Sequence, residues 1–95
     1  MTYSLTRTRD GAGDSGPMSS AIFYNENGEP ERIENSRPFV GAVMIVGTYM
    51  AGLFSAQDYW QTTPVTEILE EHTDDEGDHW VRFRTQNSEY VWKEF

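Results

Sequence analysis

The sequence predicts an all-β protein, a small SH3-like barrel of about five strands. Short segments rich in β-branched and aromatic residues alternate with turn residues about every ten positions, which is typical of small barrels and sandwiches. The chain has 95 residues, including three Trp, five Tyr and five Phe. A domain of this size needs large side chains to build a core. We therefore expect a single barrel domain over residues 21–95, preceded by a flexible arm over residues 1–20.

The predicted arm is poor in apolar side chains. Residues 10–17 read DGAGDSGP, and Tyr3, Leu5 and Met18 are the main apolar material of the first twenty residues. Such a composition buries too little apolar surface to offset the entropy of ordering, so we expect mobility. The first seven residues also lack the apolar run of a signal peptide, which predicts a cytoplasmic location.

The barrel is expected to begin with a hairpin. Residues 21–24 (AIFY) predict a short strand, and Asn27-Gly28 predicts a two-residue turn. Residues 29–33 return as a strand that contains Pro30. Because proline cannot donate to a sheet, this strand is expected at an edge.

A long uncharged stretch follows over residues 39–57. A membrane-spanning helix needs about 20 mainly apolar residues, and glycines at positions 41, 47 and 52 interrupt this stretch. The β-branched run 43–46 (VMIV) favours a buried strand instead. We expect no membrane segment.

The remaining strands are predicted at 59–63, ended by Pro64, and at 65–70, 81–85 and 89–93, with a polar loop at 72–78. Alternation is clearest in the third of these strands. It predicts that Val81, Phe83 and Thr85 face the core while Arg82 and Arg84 face outward.

Three segments carry a resemblance: Gly41-Ala42-Val43, WQTTPVTEILE at 60–70, and VRFRTQNSEY at 81–90. Together they resemble small uncharacterised proteins of phages and integrated elements, over roughly residues 39–92. That family has no assigned activity, so the resemblance transfers no functional residue. It implies a mobile-element accessory protein in the cytoplasm of a bacterial host.

Catalytic motifs are weak in this sequence. The segment 13–17 (GDSGP) resembles the surroundings of a chymotrypsin-like nucleophile, but both histidines follow Ser15 and the chain is too short for that scaffold. No phosphate-binding loop or dinucleotide fingerprint is present. One cluster has the residue types of a metal site but matches no EF-hand spacing: His72, Asp74, Asp75, Glu76, Asp78 and His79. We expect no enzyme activity, no cofactor and no metal.

Charge is the strongest functional indication. Sixteen Asp and Glu against seven Lys and Arg give a net charge of −9, which argues against direct binding to a phosphate backbone. Seven carboxylates fall within twelve residues that contain no Lys or Arg, and we call them the acidic belt: Glu67, Glu70, Glu71, Asp74, Asp75, Glu76 and Asp78. Ordered carboxylates imitate a row of phosphates. The belt therefore predicts a protein partner with a basic groove and an inhibitor of a host defence or nucleic-acid-processing complex, of CRISPR or restriction type; solubility alone is the simpler explanation.

Two other functions remain open. A virion structural or assembly protein would bury Tyr59, Trp60 and Trp92 at a subunit contact. A nucleic-acid-binding barrel would use an aromatic and basic surface made of Trp60, Trp80, Arg82, Arg84 and Trp92. Salt dependence separates these functions, since an electrostatic interface weakens with salt and an aromatic one does not.

Overall fold

The computed structural model describes residues 2–34, 36–47 and 59–95. Within them the chain forms nine strands and no helix. The strands are β1 (Tyr3–Arg7), β2 (Gly13–Gly16), β3 (Met18–Tyr24), β4 (Pro30–Glu34), β5 (Val43–Gly47), β6 (Tyr59–Gln61), β7 (Val65–Thr73), β8 (His79–Thr85) and β9 (Glu89–Glu94). The predicted all-β class is confirmed.

The strands form two antiparallel sheets. The five-stranded sheet has the order β2-β1-β9-β8-β7, and the four-stranded sheet has the order β4-β3-β5-β6. The position of β4 at an edge agrees with the expectation from Pro30. All seven predicted strand segments are present, and β1 and β2 are added to them. Among the described residues the two sheets do not close into the expected barrel of about five strands.

The chain changes sheet at two prolines. Only Pro17 separates β2 from β3, and Pro64 lies directly before β7. At the second corner the Gly41 N–H donates to the Val65 carbonyl and the Val65 N–H donates to the Ala42 carbonyl, both at 2.8 Å. The sheets therefore bend toward each other at these corners, as strands do where sandwiches and barrels turn.

The core lies between the two sheets. Trp92 is fully buried, and the strand β8 alternates as expected, with Val81, Phe83 and Thr85 buried and Arg84 exposed. The buried hydrophobic cluster comprises Leu5, Ala21, Ala42, Met44, Val46, Val65, Val81, Phe83, Tyr90 and Trp92. Both sheets contribute to it.

A buried polar chain ties the sheets together. The indole N–H of Trp92 donates to Ser19 Oγ at 2.9 Å, and Ser19 Oγ donates to the Ser36 carbonyl at 2.8 Å. The buried indole N–H of Trp92 and the Ser19 hydroxyl thus each have a partner, which avoids the cost of burying them unpaired.

Residues 1–20, expected to form a flexible arm, differ from that expectation. The strand β1 pairs with β9 in register, Leu5 opposite Trp92, and Leu5 is 1% exposed in the core. The strand β2 pairs with β1, and a Cβ on Gly13 would collide with the Leu5 carbonyl oxygen. Glycine therefore permits the close approach of β2, and one buried leucine anchors a segment of low hydropathy.

The first hairpin turn is longer than the predicted Asn27-Gly28 pair. The Asn25 N–H donates to the Glu29 carbonyl and the Gly28 N–H donates to the Asn25 carbonyl, both at 2.9 Å. Gly28 has a φ of 78°. This is a three-residue loop with glycine in the left-handed region, so Asn27-Gly28 belongs to a bulged turn and not to a two-residue one.

The uncharged stretch 39–57 contains β5, as expected, and residues 48–57 lie outside the described residues. No helix long and apolar enough to cross a membrane occurs in the described part of the chain.

Candidate functional site

The acidic belt lies on β7 and on the turn that joins it to β8. Every residue of β7 from Glu70 to Thr73 is exposed, whereas Val65 at its start is buried. The distal part of the β7–β8 hairpin therefore projects beyond the core. The strand β7 itself extends to Thr73, into the segment that the sequence predicted as loop.

One belt carboxylate holds the turn. Asp74 Oδ1 accepts hydrogen bonds from the backbone N–H groups of Glu76 and Asp78, both at 3.0 Å. The Asp74 N–H donates to the Asp78 carbonyl, and the Gly77 N–H donates to the Asp74 carbonyl. An Asp side chain that bonds the backbone two residues onward is a common turn device. Asp74 therefore stabilises the turn through its Oδ1.

Three belt carboxylates are paired with bases on neighbouring strands. Glu67 lies opposite Arg84 and Glu70 opposite Arg82 in the β7–β8 register. Their charged atoms are 3.3 Å and 3.6 Å apart, respectively. Asp78 Oδ2 lies 3.6 Å from Lys93 Nζ on β9. The acidic belt contains no Lys or Arg in its own sequence, but pairing in the sheet places Arg82, Arg84 and Lys93 next to its carboxylates.

Three belt carboxylates remain. Within the described residues no ion pair involves Glu71, Asp75 or Glu76, and all three are exposed. Asp75 and Glu76 stand side by side at the tip of the hairpin. Two of the three carboxylates without an ion pair thus lie at the tip, and Glu71 lies on β7.

The alternative aromatic and basic surface is only partly assembled. Trp80, Arg82 and Arg84 lie on the outward side of β8, and Trp80 and Arg82 line a shallow depression with Glu70, Val91 and Lys93. Trp92 was wrongly placed on this surface, since it is 0% exposed and its indole N–H bonds Ser19 inside the core. Its strand position puts it beside Leu5 and Tyr90, on the inward face.

Trp60 also lies apart from the other proposed aromatics. It is half-buried on β6, opposite Val46, and packs against the core cluster. The Arg7 guanidinium stands 5.2 Å from the centre of its ring. Trp60 belongs to the second sheet, so it does not extend the Trp80 surface.

The basic residues of the outer face are engaged. Arg82 lies between Glu70 at 3.6 Å and Glu89 at 3.9 Å, and its Nε is buried without a hydrogen-bond partner among the described residues. Arg84 and Lys93 each face a carboxylate. A phosphate approaching this face would have to displace those carboxylates, which weakens its attraction.

Arg7, the last residue of β1, is bound to Asp10 in the turn between β1 and β2. It donates two hydrogen bonds to Asp10, at 3.0 Å and 2.7 Å, and the Ala12 N–H donates to the same carboxylate. The hydrogen bond from Arg7 and the one from Ala12 lower the pKa of Asp10 to about 2. The same contact raises the pKa of Arg7.

The residues weighed as metal ligands have other contacts. The ring of His72 lies 5.0 Å from that of Trp80, and His79 Nδ1 is 2.8 Å from Thr73 Oγ1. No group of three or more His, Asp or Glu side chains placed to hold a metal ion occurs among the residues described. Ser15 of the protease-like segment lies in β2, opposite Ser4.

A second projecting hairpin was not singled out by the sequence. All five residues of β4 are exposed, and Phe23 and Tyr24 at the end of β3 are exposed as well. The sequence of residues 21–24 and Ile33 indicated a hairpin of two strands. It gave no reason to expect that Phe23, Tyr24 and Ile33 would all be exposed to solvent. Long-range packing decides that exposure.

Comparison with protein-family models, with curated proteins and with solved structures finds no match to this chain.

Proposed function

We propose that this protein is a non-enzymatic binding domain whose β7–β8 hairpin occupies a basic groove of a partner protein. The observation that carries the proposal is the projecting turn: Asp75 and Glu76 at its tip, and Glu71 on β7 before it, are exposed and have no ion pair among the described residues. Asp74 fixes this turn through two backbone hydrogen bonds, so the neighbouring carboxylates are presented on an ordered frame. An ordered interaction surface loses less conformational entropy on binding than a flexible one.

Basic grooves that take a nucleic-acid backbone are the natural complement of such a surface. The net charge of −9 steers the domain toward them. We propose that the partner is a nucleic-acid-processing complex and that occupation of its groove inhibits it. A host defence nuclease of CRISPR or restriction type fits the mobile-element context that the sequence resemblance implies.

The paired outer face favours this proposal over direct nucleic-acid binding. Arg82, Arg84 and Lys93 are each next to a carboxylate. Three neutralised bases offer little free positive charge to a phosphate backbone. The virion-assembly alternative loses Trp92 as a contact residue, because that side chain is buried in the core.

The test is a charge reversal that leaves the turn intact. Asp75→Lys with Glu76→Lys changes the net charge by about four units and spares Asp74. A matched control, Glu29→Lys with Gln86→Lys and Asn87→Lys, makes the same change at exposed positions elsewhere. Binding is measured against nuclease complexes captured from a bacterial lysate with the wild-type protein, together with inhibition of their cleavage.

We expect the hairpin variant to lose affinity by about 10–100-fold and the control by less than about threefold. The wild-type affinity should fall by at least about tenfold between about 0.05 M and about 0.5 M salt. Equal losses of affinity in both variants would mean that net charge, and not the hairpin tip, determines binding. An unchanged affinity in the hairpin variant would remove the tip from the interface.

A further inference from the structure

Exposed apolar side chains gather on the β3–β4 hairpin and the segment beside it. Phe23 is 36% exposed, Tyr24 38%, Ile33 60% and Val40 59%. These are four of the six exposed large hydrophobic side chains in the part of the chain that the structure describes. We infer that this hairpin carries a second binding surface, which takes an apolar segment of another protein that bears an arginine.

The surface consists of two adjoining depressions that share Phe23 and Glu31. The first is completed by Tyr24, Asn25, Glu26 and Asn27, and the second by Arg32, Phe39 and Val40. A bulge creates this arrangement, because Phe23 pairs with Arg32 while Tyr24 pairs with Pro30. Glu31 is the extra residue of the bulge, and bulges redirect side chains in this way.

The charges on this hairpin select a cationic partner. Residues 23–34 contain the carboxylates of Glu26, Glu29, Glu31 and Glu34 and the single base Arg32. Arg32 donates to Glu34 at 2.9 Å, so its charge is already compensated. Among the described residues no ion pair involves Glu26 or Glu31, the two carboxylates that line the depressions.

An interaction of the required type already exists inside this hairpin. The Arg32 guanidinium stands 4.0 Å from the centre of the Phe39 ring while it bonds Glu34. Phe23 and Tyr24 beside Glu26 and Glu31 offer the same combination of ring and carboxylate to a guanidinium from outside. Arginine gains both from the face of a ring and from a planar hydrogen bond to a carboxylate.

This surface is separate from the one proposed above. The β3–β4 hairpin belongs to the four-stranded sheet and the β7–β8 hairpin to the five-stranded sheet. Failure of either proposal therefore leaves the other standing, provided that the experiment locates the bound probe residue by residue.

The experiment is a titration of the isotope-labelled full chain, followed by amide chemical shifts. The probe is a blocked peptide of three arginine-leucine repeats, and the control peptides carry arginine-serine and glutamate-leucine repeats. We expect the first probe to shift the amides of Phe23, Tyr24, Glu31 and Val40. Tyr24→Ala and Glu31→Gln should each weaken its binding by at least about fivefold, and Glu29→Gln, which lines neither depression, by less than about twofold.

Four results would overturn the inference. Equal binding of the arginine-serine probe would mean bulk charge attraction, and shifts confined to residues 74–78 would place the probe on the other hairpin. A wild-type dimer that Tyr24→Ala dissociates would make a second copy of this chain the occupant. No shift in the presence of folded protein would leave the surface without the proposed partner. If Tyr24→Ala lowers the thermal midpoint, Glu31→Gln alone tests the inference, because an exposed Glu→Gln change preserves side-chain volume and should leave the fold intact.

Discussion

The two projecting hairpins have the same turn and different surfaces. In residues 25–29 Asn25 Oδ1 accepts from the N–H groups of Asn27 and Glu29, and in residues 74–78 Asp74 Oδ1 accepts from those of Glu76 and Asp78. Gly28 and Gly77 occupy the same place in the loop, with φ values of 78° and 88°. Local sequence therefore determines the turn, but it does not determine the surfaces on either side of it.

The flanking strands make the difference. The β7–β8 hairpin lies beside β9, so Phe83 is buried and three of its carboxylates meet bases across strands. The strand β4 is an edge with all five residues exposed, and no strand of the described residues lies beyond it to cover Ile33. The β7–β8 hairpin is thus anchored, and three of its seven carboxylates are paired with bases. The β3–β4 hairpin is apolar, and of its four carboxylates only Glu34 has an ion pair among the described residues.

The largest expected effect tests this difference in anchoring. Phe83→Ala should lower the free energy of unfolding by about 3–5 kcal/mol, because it opens a cavity in the core. Ile33→Ala, on the exposed return strand of the other hairpin, should cost less than about 1 kcal/mol. Urea unfolding followed by tryptophan fluorescence measures both. Similar costs would mean that β4 is covered in the folded protein.

The alternation along β8 allows a further check in the same assay. Arg82→Ala should cost less than about 1 kcal/mol, since its ion pairs to Glu70 and Glu89 are partly exposed. A cost as large as that of Phe83→Ala would indicate a register shifted by one residue, which would exchange the two faces.

The next effect concerns the base of the β3–β4 hairpin. Ser19→Ala leaves the buried Trp92 Nε1 without its acceptor and the Ser36 carbonyl without its donor. We expect a loss of about 1–3 kcal/mol in the free energy of unfolding. Ser20→Ala, half-buried on the next residue of β3, is the matched control and should cost less than about 0.5 kcal/mol. If the two variants are equally stable, the hydrogen-bond chain does not hold the sheets together.

Alternation and turn residues predicted seven of the nine strands, because each of those segments carries its own pattern. The alternation of Val81, Phe83 and Thr85 and the edge position of the strand with Pro30 were both visible in the sequence. The segments of β1 and β2 were missed because their order depends on one leucine and on a glycine that admits a neighbouring backbone. Amino-acid composition predicts neither the burial of that leucine nor the close approach at that glycine.

The charge of the belt was visible in the sequence, but its compensation was not. Glu70 and Arg82 are twelve positions apart, and Asp78 and Lys93 are fifteen apart. A count of charges within a short window of sequence therefore misses these ion pairs, which form between strands of the sheet. The exposed rings of Phe23 and Tyr24 were equally hidden, since a short aromatic strand normally indicates core. The charge pairing depends on strand register and the exposure of the rings on an edge position in the sheet, and both are long-range properties.

A smaller effect tests whether the two turns are equivalent. Gly28→Ala and Gly77→Ala should each lower the free energy of unfolding by about 1 kcal/mol, since a side chain disfavours the left-handed region. A Cβ at either position meets no atom within 4 Å, so backbone strain is the only cost. Thermal unfolding of the two variants measures the difference. Unequal losses would show that the hairpins do not share a turn geometry.

The smallest effect is expected from exchanging the turns. Replacing residues 74–78 (DDEGD) by the sequence of residues 25–29 (NENGE) keeps the side-chain acceptor at the first position and the glycine at the fourth. Asn accepts the same backbone hydrogen bonds as Asp, so we expect the free energy of unfolding to change by less than about 0.5 kcal/mol. Denaturant unfolding measures this change, with Asp74→Ala as the control that removes the acceptor and costs about 1 kcal/mol or more. The exchanged turn carries two carboxylates instead of four. Position 75 keeps a carboxylate in the exchanged turn and position 76 loses one. If this folded variant inhibits the captured nuclease as well as wild type does, the Glu76 carboxylate is not needed at the interface.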